Sequence, residues 1–262
     1  MAYDKVVDST VLENGLSSIA DAIREKGNLG DPLASPLNFP SGFVSAIEGL
    51  SGGGATEPYI EETYDENGQL IDAAMHGYTR IRPRAFYECR ALVSVSGISA
   101  ITSIDNYAFQ NCTNLALTSL PAGITSIGSY SFSDCTNLAL TSLPAGITSI
   151  SPSAFSNCTN LALTSLPAGI TSTGTSAFSN CKNLALTSLP AGITSIGNYT
   201  FQNCTGLTTI TFEGTPQSIK LSAFSGCTNL TTINVPWADG AVAGAPWGAK
   251  NATINYNYTP EG

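Results

Sequence analysis

The segment NLALTSLPAGITS, residues 114–126, returns without change at 137–149, 160–172 and 183–195. The step is 23 residues each time, and it extends beyond the identical copies. Phe86, Phe109, Phe132, Phe155, Phe178, Phe201 and Phe224 keep it. So do Cys89, Cys112, Cys135, Cys158, Cys181, Cys204 and Cys227, and Leu92, Leu115, Leu138, Leu161, Leu184, Leu207 and Leu230. Seven F-x-x-C-x-x-L units with no insertion predict a solenoid. One such coil cannot bury its own apolar stripe, so coils stack and equivalent residues form ladders. Coils hydrogen-bonded like parallel strands lie about 4.8 Å apart, and seven of them make a slab on the order of 30 Å.

Charge agrees with stacking. Only 11% of the 262 residues are charged, and the net charge of −9 is unevenly placed. Residues 1–76 hold 13 Asp/Glu against 3 Lys/Arg, whereas 101–236 hold 3 against 2. A charge repeated in every coil would face its own copies, while Thr, Ser and Asn avoid that repulsion and hydrogen-bond along the ladder. Only 77–100 is basic, through Arg80, Arg82, Arg84 and Arg90 against Glu88, which reads as the solvated edge of a first repeat. So acidic and charge-poor a chain lacks the footprint of a nucleic-acid binder. No apolar run approaches the length of a membrane span, and MAYDKVVDSTVLENG has no signal-peptide form. The expectation is a protein that folds in the cytosol.

Before the array, Thr10-Val11-Leu12-Glu13 has the form of a capping box, followed by Leu12, Leu16, Ile19, Ala20 and Ile23 at helical spacing. This predicts a helix over 10–26, and Phe39, Phe43, Ile47 and Leu50 suggest a second. The organisation expected is a helical docking module at 1–50, a Gly-rich linker at 51–58, a β-hairpin turning at Asn67-Gly68 within 59–77, the solenoid at 78–236 and a β cap at 237–262. The fold class expected is therefore α+β with a repeat solenoid.

The repeat resembles the BspA-type branch of leucine-rich repeats, whose 23-residue unit carries A-F-x-x-C-x-x-L followed by a strand and a proline. Leu207-Thr-Thr-Ile210-Thr-Phe212 and Leu230-Thr-Thr-Ile233-Asn-Val235-Pro236 fit its L-x-x-L-x-L strand. The middle copies depart from it: Leu115-Ala-Leu117-Thr118-Ser-Leu120 places a leucine one position early. Either Thr118, Thr141, Thr164 and Thr187 face inward, or the strand shifts locally.

Each of the seven cysteines holds the same place beside a phenylalanine, which reads as a ladder of reduced, inward thiols packed as small hydrophobes. No CxxC pair or Cys/His cluster supports zinc. The single histidine, His76, is the only partner a Ser/His or Cys/His nucleophile could use, and a lone histidine at an element boundary is ordinarily structural. The acidic group Glu61, Glu62, Asp65 and Glu66 lacks the ligand alternation of a calcium loop. No catalytic residue, metal or cofactor is expected. Trp237 and Trp247 read as a cover for the last coil, with a carbohydrate site as the sharper alternative.

Function is then expected in binding. The stretch LSSIADAIREKG (16–27), the following FPSGFVSAIEGL (39–50) and the ending APWGAKNATINYNY (245–258) resemble segments of tail and receptor-binding proteins of phages of Gram-positive bacteria. That resemblance implies a virion tail protein, possible as a trimer, attached to other tail or baseplate proteins through 1–50 and contacting a bacterial surface glycan or protein. The repeat family alone implies a surface adhesin for host matrix or other bacteria. An enzyme should show carboxylate pairs, yet the array holds only Asp105, Asp134 and Glu213. The copies vary around the invariant phenylalanine, so Asn106, Tyr107, Ser129, Tyr130, Thr175, Asn198 and Tyr199 are the candidate receptor-contact residues, against drift at solvated positions as the competing reading.

Overall fold

The computed structural model describes residues 58–259. Tyr59–Tyr64 and Leu70–His76 form an antiparallel hairpin. Its second strand pairs in parallel with Ser94–Ser96 of the first coil, so the hairpin continues the array as its first rungs. Gly97 ends that rung at φ 69°, and any Cβ there would run into the Met75 carbonyl.

On one flank every coil contributes a two-residue strand. Arg80–Ile81, Ser103–Ile104 and Ser126–Ile127 make one parallel ladder, and Ser149–Ile150, Ser172–Thr173, Ser195–Ile196 and Ser218–Ile219 make another. The ladder breaks at Ser151-Pro152. Where Gly128, Gly174 and Gly197 donate a backbone N–H to the preceding coil, Ser151 donates its Oγ to the Ile127 carbonyl at 2.6 Å. Proline holds the residue before it away from helical geometry, and the hydroxyl keeps the acceptor satisfied.

The α+β expectation is corrected. The described residues contain strands and turns and no helix, so this part of the chain is an all-β solenoid. The helices predicted at 10–26 and 39–50, within the module at 1–50, lie outside the described residues, as does most of the 51–58 linker. Around each phenylalanine, i to i−3 bonds such as Cys112 N–H to Phe109 and Leu115 N–H to Cys112 start helix-like turns. Left-handed residues at Tyr107 and Asn111, with φ of 61° and 63°, stop them within a turn. Their equivalents recur through Tyr199 and Asn203. The chain therefore aims N–H groups sideways, and Tyr107, Phe109 and Asn111 donate to the carbonyls of Ser129, Ser131 and Ser133 in the next coil.

The core is a set of columns. The phenylalanine rings stack at 5.1–5.7 Å from Phe86 to Phe224, all buried. Beside them each buried thiol makes a specific bond: Cys112 Sγ–H donates to the Phe86 carbonyl at 2.9 Å, and Cys135, Cys158, Cys181, Cys204 and Cys227 repeat it at 2.9–3.0 Å. The same carbonyl accepts the Cys N–H of its own coil, as Phe132 does from Cys135 at 3.1 Å. Both lone pairs are used, one within the coil and one between coils.

The opposite flank answers the threonine question. Thr118, Thr141, Thr164 and Thr187 are exposed, and Leu140, Leu163 and Leu186 are buried, with Leu117 half-buried. The chain has shifted by one residue, as the bonds from Ala139 to Leu117, Ala162 to Leu140 and Ala185 to Leu163 show with their spacing of 22. Burying a leucine instead of a threonine gains more than a short ladder contributes. Of the described residues, 117–119, 140–142 and 163–165 accordingly form no strand. Strands return at Ser188–Leu189, Thr209–Phe212, Thr232–Asn234 and Thr253–Asn255, paired in parallel.

Candidate functional site

In six of the seven coils the residue two before the phenylalanine sits at positive φ. Two residues after each phenylalanine, at the second left-handed position, stand Glu88, Asn111, Asp134, Asn157, Asn180, Asn203 and Gly226, and all but Glu88 are residue types that tolerate this geometry. Their side chains also ladder, with Asn157 Nδ2 donating to Asp134, Asn180 to Asn157 and Asn203 to Asn180, each at 2.8 Å. The first position is different. It carries Arg84, Tyr107, Tyr130, Ser153, Ser176 and Tyr199 at φ of 53–61°. Large side chains are held there although asparagine or glycine would fit at lower cost.

Three of these residues meet. Tyr107 and Tyr130 stack with centroids 5.2 Å apart and planes 6° from parallel. The Arg84 guanidinium covers the other side of Tyr107, 5.4 Å from its centroid, and lies 5.8 Å from Tyr87. The result is a cation–aromatic stack that ends at Tyr130. Tyr130 is 38% exposed, and the next coil offers only Ser153 in its place. Tyr199, equally exposed, stands three coils further along, beyond Ser176. It is not brought together with the other two tyrosines.

The other candidates have backbone work as well. The carbonyls of Asn106, Ser129, Thr175 and Asn198 accept from Arg84, Tyr107, Ser153 and Ser176 of the preceding coils. Asn106 Oδ1 also accepts the Ser129 N–H at 2.8 Å. Next to the stack lies a shallow depression of about 320 Å³, whose polar lining is Arg80, Asp105, Asn106, Ser126 and Ser151. Arg80 is ion-paired to Asp105 Oδ2. Arg80 and Arg84 read in the sequence as the solvated edge of a first repeat and Asp105 as one of the array's few carboxylates, and none of the three was among the candidate contact residues. A signal existed for Arg84, because it stands 23 residues before Tyr107.

The thiols offer no reactive centre. All seven are free, and six are buried. Burial pushes Cys158, Cys181 and Cys204 well above the ordinary thiol range. Half-buried Cys89 is pushed up to about 12 by burial first, then by Cys112 and Glu62. His76 stacks on Tyr59 at 4.5 Å with Glu61 3.6 Å away, on the hairpin. Among the described residues no group of His, Cys, Asp and Glu is placed to hold a metal ion. Trp237 and Trp247 are buried against Phe212 at 5.2 and 6.1 Å, inside the cap, so neither presents a ring face to solvent.

Comparison with known proteins gives one family. The model for the BspA type leucine rich repeat region matches residues 71–185 and 141–239. A leucine-rich repeat protein of T. pallidum is similar at 23% identity over 67% of this chain and 81% of that one, with a TM-score of 0.39. A leucine rich cell surface protein of Faecalibacterium prausnitzii is 26% identical over 65% of this chain, which spans 61% of it, with a TM-score of 0.37. A leucine-rich repeat protein of Bacteroides ovatus is 18% identical, covering 78% and 76% of the two chains, at 0.34. No curated protein matches significantly. The family matched is a repeat scaffold, and no catalytic family is indicated.

Proposed function

Since the chain belongs to the BspA-type leucine-rich repeat family, we propose that it is a non-enzymatic adhesive protein of the bacterial surface. In this reading the solenoid is a rigid display surface, and the flank bearing Arg84, Tyr107, Tyr130 and Tyr199 touches host matrix or the surface of another cell. One observation carries it: Arg84, Tyr107, Tyr130 and Tyr199 occupy a left-handed backbone position, whereas the neighbouring left-handed column is asparagine, aspartate or glycine in every coil but the first, where Glu88 stands. Tyrosine suits such a surface because it offers broad amphipathic area with few rotors to immobilise.

The test is whole-cell and matrix binding by the full chain against a variant with Tyr107→Ser, Tyr130→Ser and Tyr199→Ser. Serine already holds this position at Ser153 and Ser176, so the variant retains the fold. Binding is expected to be lost; binding equal to the parent's refutes the reading.

A second reading rests on the two ends of the chain. Their likeness to phage tail proteins, at 16–27, 39–50 and 245–258, favours a tail component that attaches through residues 1–50 and meets a bacterial receptor with the same flank. Antibody labelling of intact producing cells separates the two, since an adhesin is stained on living cells and a tail component co-purifies with particles after lysis.

A further inference from the structure

We infer that the open face of Tyr130 and the depression beside it form a site for a hexopyranose oligosaccharide. This rests on the adhesive reading and assigns its ligand class. Tyr107 has both faces occupied, one by Arg84 and one by Tyr130. Tyr130 has one face against Tyr107, and its second face looks along the array over Ser153 and Ser176 toward Tyr199. Three coil steps separate the two tyrosines, about 17 Å at the spacing of the phenylalanine column. Between them this column carries only Ser153 and Ser176, so no other ring covers the second face of Tyr130.

A pyranose ring has an apolar C–H face and a rim of hydroxyls, and it needs both kinds of partner at once. Tyr130 supplies the aromatic face. Ser151, two residues before Ser153, belongs both to this coil and to the lining of the depression, which continues through Ser126 and Asn106 to Asp105. Arg80 engages only Oδ2 of Asp105, which leaves Oδ1 to accept from a pair of sugar hydroxyls. Paired in this way the carboxylate is fixed in orientation and its charge is balanced, which suits recognition of hydroxyls. The ladder is broken at this coil, where Ser151-Pro152 replaces the glycine-led turn of its neighbours.

The test uses the full chain and a panel of gluco-, galacto-, manno- and N-acetylglucosamine-configured hexasaccharides, read by calorimetry. At least one is expected to bind saturably. Tyr130→Ser should then weaken it at least tenfold, and Asp105→Asn should weaken it severalfold. Ser153→Tyr is the sharper variant, because it extends the tyrosine column by one coil and covers the open face of Tyr130 while leaving Tyr130, Asp105 and the lining of the depression in place. It should abolish saccharide binding while raising or preserving the melting temperature. Lys182→Gln, an exposed cation in another coil, should change nothing. Binding of no hexasaccharide, or binding indifferent to Ser153→Tyr, overturns the inference. Should cells still be bound through the three tyrosines in that case, the adhesive reading survives with a protein partner; loss of both results removes both.

Discussion

Replacing Cys158 by alanine and by serine separates two accounts of the thiol column. Cys158 has no exposed surface, and its Sγ–H donates to the Phe132 carbonyl at 3.0 Å. Alanine deletes one buried heavy atom, worth about 1 kcal/mol in transfer and cavity terms. It also removes the bond between coils, worth about 0.5–1 kcal/mol for a donor of this kind. The carbonyl retains the Cys135 N–H at 3.1 Å, so no acceptor is orphaned and the loss stays near 1.5–2 kcal/mol. Serine loses apolar volume as alanine does but keeps a donor facing the same carbonyl, so its loss is expected to stay below about 1 kcal/mol. Guanidinium unfolding under reducing conditions, followed by circular dichroism and compared at the midpoint, gives the order cysteine, serine, alanine. Serine falling below alanine refutes the bonding role and leaves the thiol as packing alone.

Alkali should unfold the array. The folded thiols titrate above their unfolded value of 9.0 because burial disfavours the thiolate, so their stabilisation is complete below that pH and drains as pH rises toward the folded values. Each buried thiol contributes a slope of about 1.4 kcal/mol per pH unit there, and a pH titration of the unfolding midpoint between 9 and 11 should show the sum. At pH 8 only Cys89 should react with a thiol reagent in the native state, about a thousandfold more slowly than a free cysteine, given its shift to about 12. The register shift is checked by a pair of variants: Leu140→Ala should cost about 2–4 kcal/mol and Thr141→Ala less than about 0.5, with the reverse order restoring the family strand.

Much of the fold was legible because a fixed period of 23 leaves few ways to stack a chain. The phenylalanine and leucine columns needed only the rule that equivalent residues meet. The strand shift was harder. LALTSL begins and ends on leucines that are buried in either register, so the sequence leaves only the interior residue to decide, and the outcome depended on leucine outcompeting threonine for the core. The thiol bond was invisible because it requires the side-chain direction set by two left-handed residues per coil. Asparagine advertises one of those positions, at Asn111 and its equivalents; tyrosine conceals the other. The α+β expectation came from helical spacing at 10–26, outside the part of the chain that the structure describes. At the candidate site the tyrosines were readable as variable residues. Their unequal grouping was not, since it depends on Ser153 and Ser176 leaving one ring face open.

The four identical segments have a consequence for how such a chain changes over generations. Their faces are interchangeable, with the same phenylalanine, thiol and leucine presented at each junction. Recombination between any two of the underlying copies joins surfaces that already match, and it inserts or deletes whole turns of 23 residues. The number of turns between Tyr130 and Tyr199 is thus adjustable by genetic exchange alone, with neither end of the molecule having to readjust. A protein built around one non-repeating core has no comparable freedom to vary its span.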